Sequence, residues 1–136
     1  MLIIIIGLPA SGKTTYFNEN KLLKENYSFY DDFIFSFMDG ELIEEIKNNN
    51  DVCITDPRLC NFEIFQNVIK IIKEYIDDSN IKLILFKNNK EQCLINAKNR
   101  IKKNVEKTIH NYSTIYDINN YNNYDCEIID VYSSNI

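Results

Sequence analysis

The stretch "MLIIIIGLPASGKTT", residues 1–15, constrains this chain more than any other. Residues 2–6 form a continuous run of leucine and isoleucine with no polar face, the pattern of a strand buried on both sides in a parallel sheet. A glycine turn ends the run, and a charged, helix-like stretch begins at Lys13. A strand with two apolar faces must be flanked by other strands and covered above and below. The sequence therefore opens on the expected central strand of an α/β domain.

The remainder alternates in the same sense. A helix is expected from Lys13 to about Asn26, and "YSFYDDF" (27–33) supplies a second short strand or its carboxyl end. "MDGELIEEIK" reads as a helix capped by Asp39, with Leu42, Ile43 and Ile46 inward, and "DVCITD" (51–56) as a third strand. A helix starting at Asn61 sets Phe65, Val68, Ile69, Ile72 and Ile76 on one stripe. "IKLILFK" (81–87) is a fourth strand, and Leu94, Ala97, Ile101, Val105, Ile109 and Tyr112 recur at helical spacing in one long helix or two. "DINNYNNYD" reads as a polar loop before a fifth strand, "CEIIDVY" (126–132). Alternating strands and helices imply crossovers and an open parallel sheet between helical layers.

With 136 residues the chain is expected to be a single domain, with no room for an elaborate second one. Hydrophobic residues at 45% and charged residues at 26% suit a folded globular protein. "LIIII" is too short for a signal-peptide core or a membrane span, so a cytoplasmic protein with no membrane partner is expected. Cys53, Cys60, Cys93 and Cys126 match no zinc or thioredoxin spacing and read as small apolar core residues. The net charge of −5 argues against a protein coated in nucleic acid, although Lys82, Lys87, Lys90, Lys98, Arg100, Lys102, Lys103 and Lys107 form a local basic island. His110 stands alone in a helical pattern and reads as packing or surface, and Tyr112, Tyr116, Tyr121 and Tyr124 as core-edge anchors.

Gly7, Gly12, Lys13 and Thr14 satisfy G-x-x-x-x-G-K-[ST] in the required context, strand before and helix after. In such a loop the glycines let successive N–H groups turn inward as an anion nest, the lysine reaches the outer phosphates, and the hydroxyl of Thr14 can serve Mg²⁺. Pro9, Ala10, Ser11 and Thr15 complete the expected nucleotide-binding stretch. A GTPase would need D-x-x-G and N-K-x-D; this chain has "DPRL" and "NKEQ". A kinase reading has positive support. Asp31 and Asp32 fall at the carboxyl end of the second strand, the rim where ligands bind in such sheets, and a carboxylate there can accept the proton of an attacking hydroxyl. Asp56 ends the third strand, placed to hold Mg²⁺ or orient an acceptor, and Arg58 could hold an anion. Arg100 is the candidate to stabilise the moving phosphoryl group.

In their order, "GLPASGKTT", "YDDF", "ITDPRLCNFEIF", a strand, "NAKNR" and "VEKTIHNYSTIY" resemble the kinase domain of phage-type polynucleotide 5′-hydroxyl kinases and their small P-loop kinase relatives. The resemblance spans nearly the whole chain. It implies a three-layer P-loop NTPase fold, with a five-stranded parallel sheet in the order 2-3-1-4-5 and a small lid segment around 89–107. The implied activity is ATP- and Mg²⁺-dependent transfer of the γ-phosphate to a hydroxyl. By position, Asp31 is similar to the family's general base, Lys13 and Thr14 to its phosphate and magnesium residues, Asp56 to the acid after the third strand, and Arg100 to the lid arginine. The departures concern the acceptor: Ile34 and Phe35 stand where those kinases carry an arginine for the acceptor's phosphate, and the lid has a single arginine. A nucleic-acid end, a nucleoside, a nucleotide and a small metabolite all stay open as acceptor, as does an ATP-binding regulatory module without transfer.

Overall fold

The computed structural model describes residues 1–33, 40–99 and 105–133. Five strands, β1 (Leu2–Ile6), β2 (Ser28–Asp31), β3 (Val52–Thr55), β4 (Ile81–Phe86) and β5 (Asp125–Ile129), form one sheet in the order β2-β3-β1-β4-β5. Every pairing is parallel. The helices are α1 (Lys13–Glu19), α2 (Lys21–Asn26), α3 (Gly40–Lys47), α4 (Phe62–Ile72), α5 (Lys90–Lys98) and α6 (Val105–Ser113). The all-parallel sheet and its strand order match the expectation. β1 lies at its centre, with all five residues buried, because isoleucine on both faces is satisfied only where helices cover both.

Register decides what reaches the rim of the sheet. Thr55 pairs with Ile5 on one side and with Asp31 on the other, so β2 and β3 end level with one another and β1 one residue beyond them. Gly7, Asp32 and Asp56 therefore leave the sheet at the same edge. Thr55 itself is fully buried and donates its hydroxyl proton to the Ile5 carbonyl at 2.7 Å, locking that level. β2 is held by α3: Glu45 accepts from Ser28 Oγ at 2.8 Å and from the Tyr30 hydroxyl. Burial and the Glu45 carboxylate together push the Tyr30 phenol well above its usual range.

α4 is the clearest amphipathic element: Phe65, Val68, Ile69 and Ile72 face the core, and the Asn61 carboxamide caps its first turn by accepting from Glu63 N (3.0 Å) and Ile64 N (3.3 Å). Such a cap stabilises by about 1 kcal/mol. Cys53, Cys60 and Cys93 are free and buried, and Cys126 is half-buried, consistent with apolar packing. Burial pushes the Cys53 thiol up to about 12.

Four boundaries differ from the sequence expectation. The helix begun at Lys13 breaks at Asn20, whose extended backbone ends α1 and whose side chain accepts from Leu23 N at 3.1 Å to start α2. Asparagine competes with the backbone in this way. α4 stops at Ile72, and Ile76 reaches the core from the turn beyond it. The fifth strand ends at Ile129 because Val131 and Tyr132 leave the sheet, the Tyr132 N–H donating to Ser11 O at 2.9 Å. Finally, the "polar loop" holds a 3-10 turn, Ile118–Tyr121, with Tyr121 fully buried. Its hydroxyl donates to Leu59 O at 2.6 Å and its ring meets Phe65 at 4.9 Å. Tyr116 is likewise buried and donates to Phe86 O at 2.5 Å. Both tyrosines, expected as core-edge anchors, are fully or nearly fully buried, Tyr121 from within the asparagine-rich stretch. Asp39, Ile34, Phe35 and Arg100 lie outside the described residues, as do Ile101, Lys102 and Lys103.

Candidate functional site

Two residues of the loop between β1 and α1 adopt left-handed backbone, Ala10 at φ 64° and Gly12 at φ 104°. Gly12 is required twice over. Its φ disfavours any side chain, and a Cβ there would lie 2.5 Å from Tyr132 Cβ. Gly7 is required by contact, since its Cβ would meet Ser11 Oγ at 2.7 Å and Phe86 Cβ at 2.9 Å. Gly12→Ala is thus expected to destabilise the protein by about 3 kcal/mol, from strain and overpacking together. Urea denaturation checks this, and an unchanged midpoint would remove the argument.

Lys13 turns back over the loop. Its ammonium donates to Gly7 O at 2.9 Å and Leu8 O at 2.8 Å, and only 9% of the residue is exposed. Cys60 packs beneath: burial pushes its thiol up to about 12, against the opposing pull of the Lys13 charge and the Gly7 N–H. The thiol is thus the neutral form at physiological pH and serves as packing. Ser11 is fully buried, and its Oγ has no hydrogen-bond partner.

A cleft of about 150 Å³ opens over this loop, lined by Pro9, Ala10, Gly12, Lys13, Thr14, Asp31, Asp32, Pro57 and Val105. Residues of the glycine loop and the acid pair line it together. Gly7, Ser11 and Thr15 do not line it; the first two shape it from below. Asp31 is exposed, and its Oδ1 accepts the Asp32 N–H at 2.9 Å, with Asp32 itself at φ 51°.

Asp56 and Arg58 sit just behind Pro57 and are committed to each other. Asp56 is fully buried; its Oδ1 accepts from Arg58 Nε (2.8 Å) and Arg58 N (2.9 Å), and its Oδ2 from Arg58 Nη2 (2.5 Å). The bond to Asp56 raises the Arg58 guanidinium further, with Asp32 and Tyr112 adding to it against the cost of burial. Tyr112, shifted upward by burial and by Asp56, stays protonated and is no base at neutral pH.

Metal fit follows from these donors. Among the described residues no group of three or more acidic, histidine or cysteine side chains could hold a metal alone. Mg²⁺ keeps several waters and takes one or two protein ligands beside phosphate oxygens. The exposed Thr14 hydroxyl at the cleft suits that role, whereas Asp56 is fully buried with both oxygens on Arg58 and does not line the cleft, against the expectation that it holds the metal.

Sequence reasoning missed Pro57, Val105 and Tyr132. Pro57 was within reach, one residue past a rim acid. Val105 comes from a distant helix, and no local pattern marks it. Tyr132 also borders a second hollow of about 230 Å³ on the other side of Gly12, with Tyr16, Phe86 and Ile129 as its apolar walls and Glu19 and Asp130 at its edge. Lys82 and Lys87 of the basic island are paired with Glu127 (3.5 Å) and Asp130 (2.9 Å), and His110 is exposed. Among the described residues no helix is long and apolar enough to cross a membrane.

No protein-family model matches the chain. The chain is similar to "Uncharacterized protein R277" of Acanthamoeba polyphaga mimivirus, with 44% identity over 133 residues covering 96% of each. At that identity and coverage the chain belongs to the same family as the mimivirus protein R277.

Proposed function

We propose that the protein is a P-loop kinase that moves the γ-phosphate of ATP to a hydroxyl acceptor, a polynucleotide 5′-hydroxyl or a related nucleoside or nucleotide. The observation that carries this reading is the cleft that residues of the G-x-x-x-x-G-K-T loop and the Asp31–Asp32 pair line together. Carboxylates across from the lysine are what a kinase needs to receive the proton of an acceptor hydroxyl.

In this reading the loop from Gly7 to Thr14 cradles the phosphates, and Lys13, already positioned by two carbonyl oxygens, neutralises charge on the outer ones. Thr14 would hold Mg²⁺ beside the phosphate oxygens, and Asp56 would act from behind the rim by fixing Arg58. Mg²⁺ supplies charge neutralisation across the phosphates. Asp31 takes the proton of the acceptor hydroxyl as that oxygen attacks, and Arg100 of the lid stabilises the transferred group. The hollow beyond Gly12, walled by Tyr16, Phe86 and Tyr132, has the size and apolar character to receive a planar base.

The test is transfer of labelled γ-phosphate from ATP and Mg²⁺, offered in parallel to 5′-hydroxyl DNA and RNA oligonucleotides and to nucleosides, nucleotides and small metabolites. Labelled oligonucleotide ends, nucleosides or nucleotides are the expected result. Label on a small metabolite, with the others untouched, would make the protein a small-metabolite kinase. ATP binding with no acceptor labelled would make it a regulatory module, and no binding at all would end the nucleotide reading.

A further inference from the structure

One buried amide lies outside every role described so far. Asn96, on α5, is 6% exposed, and its Nδ2 donates both to Ala10 O at 2.9 Å and to Tyr132 O at 2.7 Å. Its Oδ1 accepts from Gln92 Nε2 at 3.0 Å, which fixes the orientation of the amide within the helix. The Tyr132 N–H in turn donates to Ser11 O. Three segments distant in sequence, the loop, α5 and the chain beyond β5, thus meet at one side chain.

The chemistry of the joint is specific. Only a carboxamide offers two N–H donors and one acceptor in a plane, as two carbonyls and one Gln92 donor require. Ala10 carries its side chain in left-handed backbone, a conformation an alanine does not keep without restraint, and the restraint on its carbonyl is Asn96. Because a trans peptide points its N–H opposite its C=O, holding the Ala10 and Ser11 carbonyls toward Asn96 and Tyr132 turns the following N–H groups the other way. The second of these belongs to Gly12, which lines the cleft.

We propose that Asn96 is a positioning residue for the anion-binding loop: it touches no substrate, and through Ala10 O and Tyr132 O it sets the loop in its phosphate-receiving form. The same bonds seat α5 against that loop. The proposal rests on the nucleotide-binding reading above.

The test compares ATP·Mg²⁺ affinity and thermal stability in three variants. Asn96→Asp removes both donors with little change of shape, and Asn96→Ser removes one without introducing a charge. Asn88→Asp is the control, because that exposed amide also donates to two backbone carbonyls, Ser113 O and Tyr116 O, each at 2.9 Å, and does not line the cleft. Both Asn96 variants are expected to weaken ATP·Mg²⁺ binding by roughly tenfold or more while remaining folded at 10 °C. The control is expected to lose melting temperature and keep its affinity. If wild type binds and the Asn96 variants bind equally well, the positioning role is wrong and the nucleotide reading stands. Equal loss of affinity in the control, or failure of both Asn96 variants to fold, would make the residue merely structural and overturn the proposal. If wild type itself does not bind ATP·Mg²⁺, the nucleotide reading falls and takes this role with it.

Discussion

Lys13→Ala is expected to lower phosphoryl transfer by roughly a thousandfold or more, the loss seen when a preorganised charge facing a transferring phosphoryl group is removed. The structure adds a second consequence. The ammonium of this 9%-exposed side chain satisfies Gly7 O and Leu8 O, so alanine also leaves two buried carbonyls without their donor. Each buried, unsatisfied group costs about 1–3 kcal/mol, and a lower melting temperature should accompany the lost activity. Lys13→Gln separates the two effects, since its amide keeps donors for the carbonyls but carries no charge. It should recover part of the stability and none of the transfer. Rates measured at a temperature where circular dichroism shows every variant folded decide the matter. Wild-type transfer by either variant would remove Lys13 from the reaction.

The second large effect concerns the proton. Asp31→Asn is nearly isosteric and preserves an oxygen to accept the Asp32 N–H, so the turn at Asp32 should survive intact. What it removes is the capacity to receive a proton from the acceptor hydroxyl. Turnover is therefore expected to fall by roughly a hundredfold to ten-thousandfold, with ATP affinity unchanged. Initial rates at saturating ATP, set beside ATP binding by the same variant, give the split directly. An unchanged rate would move the base elsewhere. Asp32, exposed beside it at the cleft, is then the first alternative, because Asp56 is buried with both oxygens on Arg58.

Much of the site was legible because its residues are punctuated locally. An apolar run that ends in glycine, followed by glycine, lysine and threonine at fixed spacing, is a local pattern, and so is an acid pair closing a short strand. The distances that make these a cleft are also nearly readable, because parallel strands that end within a residue of one another bring their next residues to one rim. What spacing could not reveal is how each rim residue is engaged. Asp56 and Arg58 are two residues apart in the sequence, and only burial makes them an ion pair instead of two separate site groups. The stretch around Tyr121 shows the same limit in the fold, since composition marked it polar while one aromatic ring found the core.

By itself, the sequence determined the class and the centre of this protein. "LIIII" can be satisfied only between two strands and under two helical layers, and Gly7 and Gly12 are the residues that let the chain leave that strand as a tight loop. The tertiary structure alone decided what braces the loop: Asn96, 86 residues beyond Ala10, holds the Ala10 carbonyl, and Tyr132, 121 residues beyond Ser11, holds the Ser11 carbonyl. No periodicity records such bonds, because a carboxamide that serves a distant backbone looks, in its own helix, like any other polar residue.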